Sequence, residues 1–396
     1  MRTAAGVRLI SMPRTSRMDD HGGHARANGS PLPGPVRAVG AIAEPIYRRV
    51  VCRRNARFDR GEGVVTLDRP VISVGNLTVG GTGKTPMVDR IVRWLIEAGH
   101  RPAIAMRGYG ARGGDRSDEA RLYDNAFEGV PVVAQADRLA GLLGLFSTDR
   151  GRAVDVVVLD DGFQHRRLAR ALDLLLIDAT RDPSRDRCLP AGWLREPVGG
   201  IARAGAVVLT HADRATASGL AGVERLVRAH AGADPVALSR HAWGGLLVRA
   251  PGAGADDEAP ARWLAGRRAL AVCALGRPES FFASCEAAGA RLVDRVALRD
   301  HDPYSVRTIE WLLGTLERTG AEALLVTEKD WAKLRRVRPQ LWPCPVVRPA
   351  LRLGFDRGEA DLHTLVLCAA ASDPDGPAIR WSEGGAGQGG AARGSI

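Results

Sequence analysis

The stretch VISVGNLTVGGTGKTPMV, residues 71–88, decides the fold. An apolar run, Val71 to Val74, enters a turn with glycines at 75, 80, 81 and 83, and the turn opens onto Lys84, Thr85 and a helical pattern reaching Ala98. A strand that runs into a glycine-rich turn and then a helix is a phosphate cradle. Backbone N–H groups and the helix dipole face the anion, and glycine lets it approach closely. Thr78, Val79, Gly80, Gly81, Thr82, Gly83, Lys84 and Thr85 therefore form a candidate nucleotide loop. The usual spacing G-x-x-x-x-G-K-[ST] places glycine where this chain has Thr78, so the match is incomplete there. Lys84 would bridge the β and γ phosphates, and the Thr85 hydroxyl would bind Mg²⁺.

Composition supports a special role for that lysine. Of 56 basic residues only Lys84, Lys329 and Lys333 are lysine, so wherever a plain positive charge suffices this chain uses arginine. A compact ammonium holds a phosphate oxygen as a point charge, which a planar guanidinium does not do in the same space. The formal net charge is +11, and residues 1–60 hold 12 arginines against Asp19, Asp20, Glu44 and Asp59. A basic N-terminal patch facing an anionic surface fits that asymmetry better than a nucleic-acid groove across the fold. Six scattered cysteines, without a CxxC pair or a histidine at metal spacing, speak against a zinc site or a disulfide framework and for a reducing cytoplasm. The sequence has no run of about 18 apolar residues and no signal-peptide core.

Along the chain, residues 1–34 read as a disordered extension and 372–396 as a flexible tail. Residues 35–69 read as a basic amphipathic segment. Within it Ile46, Tyr47, Val50, Val51 and Phe58 share a broad helical face extended by Ile42, Arg48, Arg49, Arg53 and Arg60 lie opposite, and Pro45 suits the first turn. Such a helix packs on the protein's own core or lies in a membrane interface. From Pro70 the runs VISVG, AIAMR, VPVVA, DVVVLDD, DLLLID and AVVLTHAD alternate with helical stretches. The fold class is thus α/β: a P-loop NTPase-like, mostly parallel sheet with helices on both faces over 70–240, and a second, smaller α/β domain over 263–371. Residues 241–262 form the inter-domain connection, within a weakly periodic Gly/Ala/Arg-rich stretch from 214.

A phosphate loop needs a second acidic strand end for the metal, and VVVLDDGFQHRRL supplies Asp160 and Asp161, with no ranking between them as the closer ligand. GNLTVGGTGKTP together with DDGFQHRRL resembles the tetraacyldisaccharide 4'-kinase (lipid A 4'-kinase) family, whose phosphate loop has the same departure at its first glycine. RGYG at 107–110, DE at 118–119, LPAGWLREP at 189–197, LTHAD at 209–213, DHDPY at 300–304 and TEKD at 327–330 agree in order. Ser117 stands where that family usually has glycine.

The resemblance implies transfer of the ATP γ-phosphate to the 4'-hydroxyl of a tetraacylated glucosamine disaccharide 1-phosphate, with ATP and Mg²⁺ as cofactors. It implies an anionic membrane surface as partner, a peripheral position on the cytoplasmic face of the inner membrane, no nucleic acid, and a monomer. It makes Asp118 the catalytic base, oriented by His301, with Lys84 as the third catalytic residue. Read without it, Asp118 is a loop-capping carboxylate and His301 a surface histidine. It adds Glu196 to the metal-linked set of Thr85, Asp160 and Asp161, and gives Arg107, Gln164, His165, Arg195 and Lys329 contacts to substrate. Two other readings stay open on the residues. One is a GTP-hydrolysing P-loop protein in which THAD degenerates from a guanine-reading N-K-x-D loop, though both Asn and Lys are absent. The other is a membrane-associated nucleotide switch without lipid chemistry.

Overall fold

The computed structural model describes residues 8–9, 37–108, 118–275, 278–299 and 302–382. In chain order the strands are β1 (Arg8–Leu9), β2 (Val71–Asn76), β3 (Pro102–Met106), β4 (Val132–Ala134), β5 (Val156–Asp160), β6 (Leu172–Asp178), β7 (Ala206–Thr210), β8 (Ala237–Arg249), β9 (Asp257–Ala259), β10 (Arg268–Cys273), β11 (Arg291–Ala297), β12 (Ala323–Leu325) and β13 (Val346–Arg357). The helices are α1 (Arg37–Asp59), α2 (Lys84–Glu97), α3 (Asp118–Ala126), α4 (Arg138–Phe146), α5 (Asp149–Arg152), α6 (Ala217–Ala231), α7 (Pro278–Ala287), α8 (Val306–Thr319), α9 (Glu328–Leu334) and α10 (Glu359–Ala370). Two compact units result: Ala27–His241 with Leu353–Ile396, and Met1–Arg26 with Ala242–Arg352.

In the larger unit β8, β7, β6, β2, β5, β3 and β4 lie side by side in that order, every neighbouring pair parallel. The central β2 is buried at all its positions because both faces of the sheet are covered. Ile72, Val74, Leu174 and Leu176 pack with Met87 and Ile91 of α2 and with Leu362, Leu365 and Val366 of α10. Leu175, Ile177, Val207 and Leu209 point the other way, onto Val223 and Val227 of α6. Burial on both faces is why these strands read as unbroken Val/Ile/Leu runs. The chain leaves β2 toward β3 on one side and passes back across it from β5 to β6. The C-terminal edge of β2 is therefore where connections diverge, the place where open parallel sheets bind ligands.

The smaller unit holds a parallel run of β1, β11, β10, β12 and β13, and an antiparallel pairing of Leu246–Val248 of β8 with β9. Arg8 and Leu9, inside the stretch read as an extension, pair with Val296 and Ala297. In this unit the buried Arg348 donates to Glu328 Oε2 at 2.6 Å and also pairs with Asp256. Burial alone would raise the Asp256 carboxyl, but Arg348 and Arg249 hold it down at a pKa of about 2.

Several boundaries differ from those read in the sequence. The stretch from 214 forms α6, capped by Thr216 and ended by left-handed Gly232, and then β8. Four alanines and two glycines in α6, and Gly244 and Gly245 in β8, dilute both periodicities. α10 falls within the unit that carries the phosphate loop. The sequence places residues 263–371 in the second domain, because a local pattern does not tell which sheet an element covers. In the stretch read as a flexible tail, the N–H groups of Ile379 and Trp381 donate to Ala171 O (2.8 Å) and Gly205 O (2.7 Å).

α1 starts before Pro45, which sits in its interior instead of its first turn. Its ring leaves the carbonyl four residues back, Ala41, without its helical donor. The broad apolar face also splits in two. Val51 is buried, and Tyr47 and Phe58 are half-buried against the unit. Val39, Ile42, Ile46 and Val50 are 61%, 74%, 67% and 60% exposed, and their spacing aligns them in one outward stripe. Among the described residues no helix is long and apolar enough to cross a membrane.

Leu365 of α10 is 1% exposed and shares a cluster with Met87 and Ile91 of α2. Leu365→Ala should destabilise the larger unit by about 2–5 kcal/mol, the usual cost of such a core truncation. Urea unfolding followed by circular dichroism checks this. A loss below about 1 kcal/mol would mean α10 contributes little to that core.

Candidate functional site

The site grows from the C-terminal ends of β2 and β5. β2 ends at Asn76, and the chain turns through Leu77–Gly83 into α2. Gly83 takes the N-cap position with φ 77°, a left-handed conformation that suits glycine, and no side chain caps the helix. The N–H groups of that first turn are thus presented toward an anion. Asn76 braces the loop from beneath: its Nδ2 donates to Thr82 Oγ1 (2.8 Å) and its Oδ1 accepts from Lys84 Nζ (3.3 Å). Lys84 Nζ also lies 3.5 Å from Asp161 Oδ1. Thr85, the next residue of α2, is half-buried.

β5 delivers the two carboxylates. Asp160, 6% exposed, accepts from Tyr123 Oη of α3 at 3.0 Å. Asp161 turns the chain with φ 53°, a region where aspartate is among the few tolerated side chains and which costs about 1–2 kcal/mol. The following turn is tight. A Cβ at Gly162 would sit 2.4 Å from Ser73 Oγ, and one at Gly75 would sit 2.5 Å from Phe163 Cβ. Arg195 Nη1 reaches both oxygens of Asp161, at 2.8 and 2.7 Å, while Arg138 Nη1 donates to its carbonyl at 3.1 Å. Burial alone would raise the Asp161 pKa, yet Lys84, Arg195 and Arg138 together hold it below the usual carboxylate range.

Behind this pair lies a second polar layer. Glu196, fully buried, is gripped by Arg203 through Nη1 to Oε2 (2.6 Å) and Nη2 to Oε1 (2.7 Å), and accepts from Gln164 Nε2 (2.7 Å) and Asn55 Nδ2 (3.0 Å). Gln164 Nε2 also lies 2.8 Å from the Asn76 carbonyl, and Arg195 Nη1 is 3.4 Å from Gln164 Oε1. Among the sequence candidates, Lys84, Asp161, Gln164, Arg195 and Glu196 thus form one connected network, with Asp160 adjacent on β5. Arg107 follows β3, exposed, close enough for its charge to act on Arg138. Lys329 is exposed on α9, in the smaller unit. Asp118 opens α3, but its side chain, like the whole of His301, lies outside the described residues.

The carboxylates fit a magnesium ion better than a caged metal. Among the described residues no three His, Cys, Asp or Glu side chains gather into a cation site. Magnesium needs only one or two carboxylates when phosphate oxygens and water complete its shell. Asp160 and Asp161, beside the lysine of an anion loop, meet that requirement.

The sequence reading passed over Asn76, Tyr123, Arg138 and Arg203. Arg138 is 2% exposed, with Nε buried and unpartnered, and burial pulls its pKa down against the pull of Asp161 and Asp160. The signal for it was an arginine placed directly after the α4 cap Asp137, in the run RLAGLLGLF where Leu139 and Leu142 are buried. THAD, the candidate guanine loop, has His211 Nδ1 3.4 Å from Asp178 Oδ1.

This arrangement defines a P-loop phosphotransferase: an uncapped helix start with a loop lysine beside paired strand-end carboxylates. The chain belongs to the tetraacyldisaccharide-1-P 4'-kinase family, whose model matches residues 37–366. It is 38% identical to the tetraacyldisaccharide 4'-kinase of Anaeromyxobacter sp. (strain K) over 76% of this chain and 83% of that one. It is also 38% identical to the enzyme of Geobacter metallireducens over 70% of this chain and 82% of that one. A crystal structure of LpxK from Aquifex aeolicus in complex with ATP is similar with a TM-score of 0.64 at 29% identity, covering 85% of this chain and 99% of that one. Family membership favours the lipid kinase over the GTP-hydrolysing and switch readings.

His165 offers a pH test of the site's electrostatics. Burial, then Arg138 and Arg170, push its pKa from 6.5 down to about 4. The native state therefore keeps a neutral imidazole where the unfolded chain takes up a proton, and stability falls as the pH drops from about 6.5 toward 4. His165→Gln should flatten that part of a denaturation series against pH. An unchanged slope would mean that the native imidazole is charged.

Proposed function

We propose that this chain transfers the γ-phosphate of ATP to the 4'-hydroxyl of a tetraacyldisaccharide 1-phosphate at an anionic membrane surface. The observation that carries the reading is Lys84 at the uncapped start of α2, 3.5 Å from an Asp161 already neutralised by Arg195. The loop N–H groups and Lys84 hold the β and γ phosphates and stabilise the charge that spreads over the transferred group. Asp160, Asp161 and Thr85 hold magnesium, which when bound neutralises charge on the β and γ phosphates. Asp118 accepts the proton of the sugar hydroxyl, and His301 orients it, as the family resemblance implies. Arg107, Gln164, His165, Arg195 and Lys329 contact substrate, and Glu196 supports the metal side from its bond to Gln164.

The outward stripe of Val39, Ile42, Ile46 and Val50, with exposed Arg49 and Arg53 beside it, supports contact with a lipid surface. Apolar side chains enter the acyl boundary while arginines meet lipid phosphates. A monomer lying peripherally on the cytoplasmic face of the inner membrane would reach its lipid acceptor this way.

A transfer assay with γ-labelled ATP and the disaccharide lipid in detergent micelles tests the reaction. Lys84→Arg should lose at least about a hundredfold in kcat, the scale of removing one preorganised charge donor. Near-normal turnover would remove Lys84 from the mechanism. Asp118→Ala and His301→Ala should each cut kcat far more than KM, with the double variant hardly worse than the worse single one, because groups that act as a unit are not additive. Losses that multiply would instead separate the two residues.

Membrane contact is tested by sedimentation with anionic vesicles. Arg49 and Arg53 reversed to Glu should weaken binding and raise the KM for lipid, and added salt should do the same. Binding indifferent to both would assign the stripe a different partner.

A further inference from the structure

The inner face of α1 reaches the phosphate loop in two hydrogen bonds. Tyr47 Oη donates to the carbonyl of Arg195 at 2.8 Å, and the N–H of Arg195 donates to Leu77 O in the loop at 2.7 Å. Val79 N–H returns to Trp193 O at 2.8 Å, and Thr78 faces Leu194 in an antiparallel bridge. The segment 193–195 is thus a short strand laid against the loop, and Tyr47 holds its far end.

Two turns further along α1, Asn55 Nδ2 donates to Glu196 Oε2 at 3.0 Å. The other oxygen of Glu196 accepts from Gln164 Nε2, which lies 2.8 Å from the carbonyl of Asn76, where β2 enters the loop. Asn55 is fixed in turn, since its carbonyl accepts from Arg166 Nη1 at 2.9 Å and Arg166 pairs with Asp59 at 2.7 Å. Between these two contacts the buried Val51 seats the helix.

We propose that α1 is a positioning element of the phosphate site, with Tyr47 and Asn55 as positioning residues acting through Arg195 and Glu196; the turnover arm of its test rests on the 4'-kinase reading. A loop containing Gly80, Gly81 and Gly83 has little stiffness of its own, and phosphoryl transfer loses rate with displacements of about 1 Å. Arg195 supplies the stiffness because its N–H, its carbonyl and its guanidinium are all engaged. Releasing the carbonyl frees the peptide to rotate, and the guanidinium that fixes Asp161 moves with it. Asn55 does the same for Glu196, which without it keeps Arg203 and Gln164 but loses its tie to the helix. If these residues only fastened α1 to the unit, their loss would lower stability and vesicle binding while the folded enzyme turned over normally.

The test uses the full chain, in the micelle transfer assay and in equilibrium binding of a fluorescent ATP analogue without lipid. Tyr47→Phe keeps the ring and removes one donor, and Asn55→Ala removes the other bond. Each should lower kcat about threefold to tenfold, the effect of one lost hydrogen bond. Each should also weaken the fluorescent nucleotide by about threefold, with lipid KM and vesicle sedimentation within about twofold of the parent. Ile46→Ser and Val50→Ser, on the outer face, should raise lipid KM and leave the affinity for the fluorescent nucleotide, measured without lipid, within about twofold of the parent. Should Asn55→Ala fail to fold by circular dichroism, Tyr47→Phe decides alone. Parent-like kcat and nucleotide affinity in the folded inner-face variants would overturn the proposal. If the parent binds nucleotide but transfers no label to lipid, the kinase reading falls, and the nucleotide-binding arm still decides the positioning role.

Discussion

Arg195 is the residue on which the geometry of the site depends. Its N–H holds the phosphate loop, its carbonyl receives a hydroxyl from α1, and its guanidinium closes on both oxygens of Asp161. Its Nη1 alone contacts both oxygens and also lies 3.4 Å from Gln164 Oε1. Asp161 in turn occupies a left-handed conformation that a non-glycine residue adopts only when its surroundings hold it there. Arg138 on its carbonyl and Arg195 on its carboxylate provide that hold, and local strain at the strand end is maintained by charge pairing. The site is thus built before any ligand arrives, which is what stabilising a charged transition state requires.

The same pairing explains how so many charges gather in one place. Lys84, Arg138 and Arg195 surround Asp160 and Asp161, and Arg203 neutralises the buried Glu196 behind them. A buried ion pair adds little net stability, because desolvating both groups offsets most of their attraction, so stability alone does not account for the cluster. Its chemical use is clearer. A triphosphate brings several negative charges to the end of β2, and a network already balanced around carboxylates can accept them by letting Lys84 exchange Asp161 for phosphate oxygen. The neutral His165 fits this setting, since a further cation among Arg138, Arg167 and Arg170 would only add repulsion.

The sheet and the loop were legible because their physics is local. A strand buried on both faces must be apolar throughout, and a phosphate turn must be rich in glycine, so VISVG, DVVVLDD and GGTGKT announce themselves. The second layer was not legible. Arg203 and Tyr123 are ordinary residues in sequence, and only the fold brings them within hydrogen-bond reach of Glu196 and Asp160. α1 shows the same limit in another form. The apolar residues from Ile42 to Phe58 give one broad arc on a helical projection, but the projection cannot tell that Val51 is covered while Ile46 and Val50 stay open to solvent. α6 was lost for a different reason, since alanine and glycine blur the contrast on which periodicity rests.

The scarcity of lysine acquires a physical meaning in this setting. Where the site needs a fixed cation it uses arginine in contact with both oxygens of a carboxylate, Arg195 on Asp161 through Nη1 and Arg203 on Glu196 through both terminal nitrogens. Lys84 makes no such paired contact: it stands 3.3 Å from an amide oxygen and 3.5 Å from a carboxylate oxygen, near enough to be drawn and too far to be locked. A flexible stem with three rotatable donors can leave those partners for a phosphate at little cost, whereas a guanidinium in that space would compete with Arg195 for Asp161 and close the pair permanently. An arginine-rich chain therefore has a reason to keep lysine here, where the cation has to be shared between the resting carboxylate and the arriving nucleotide.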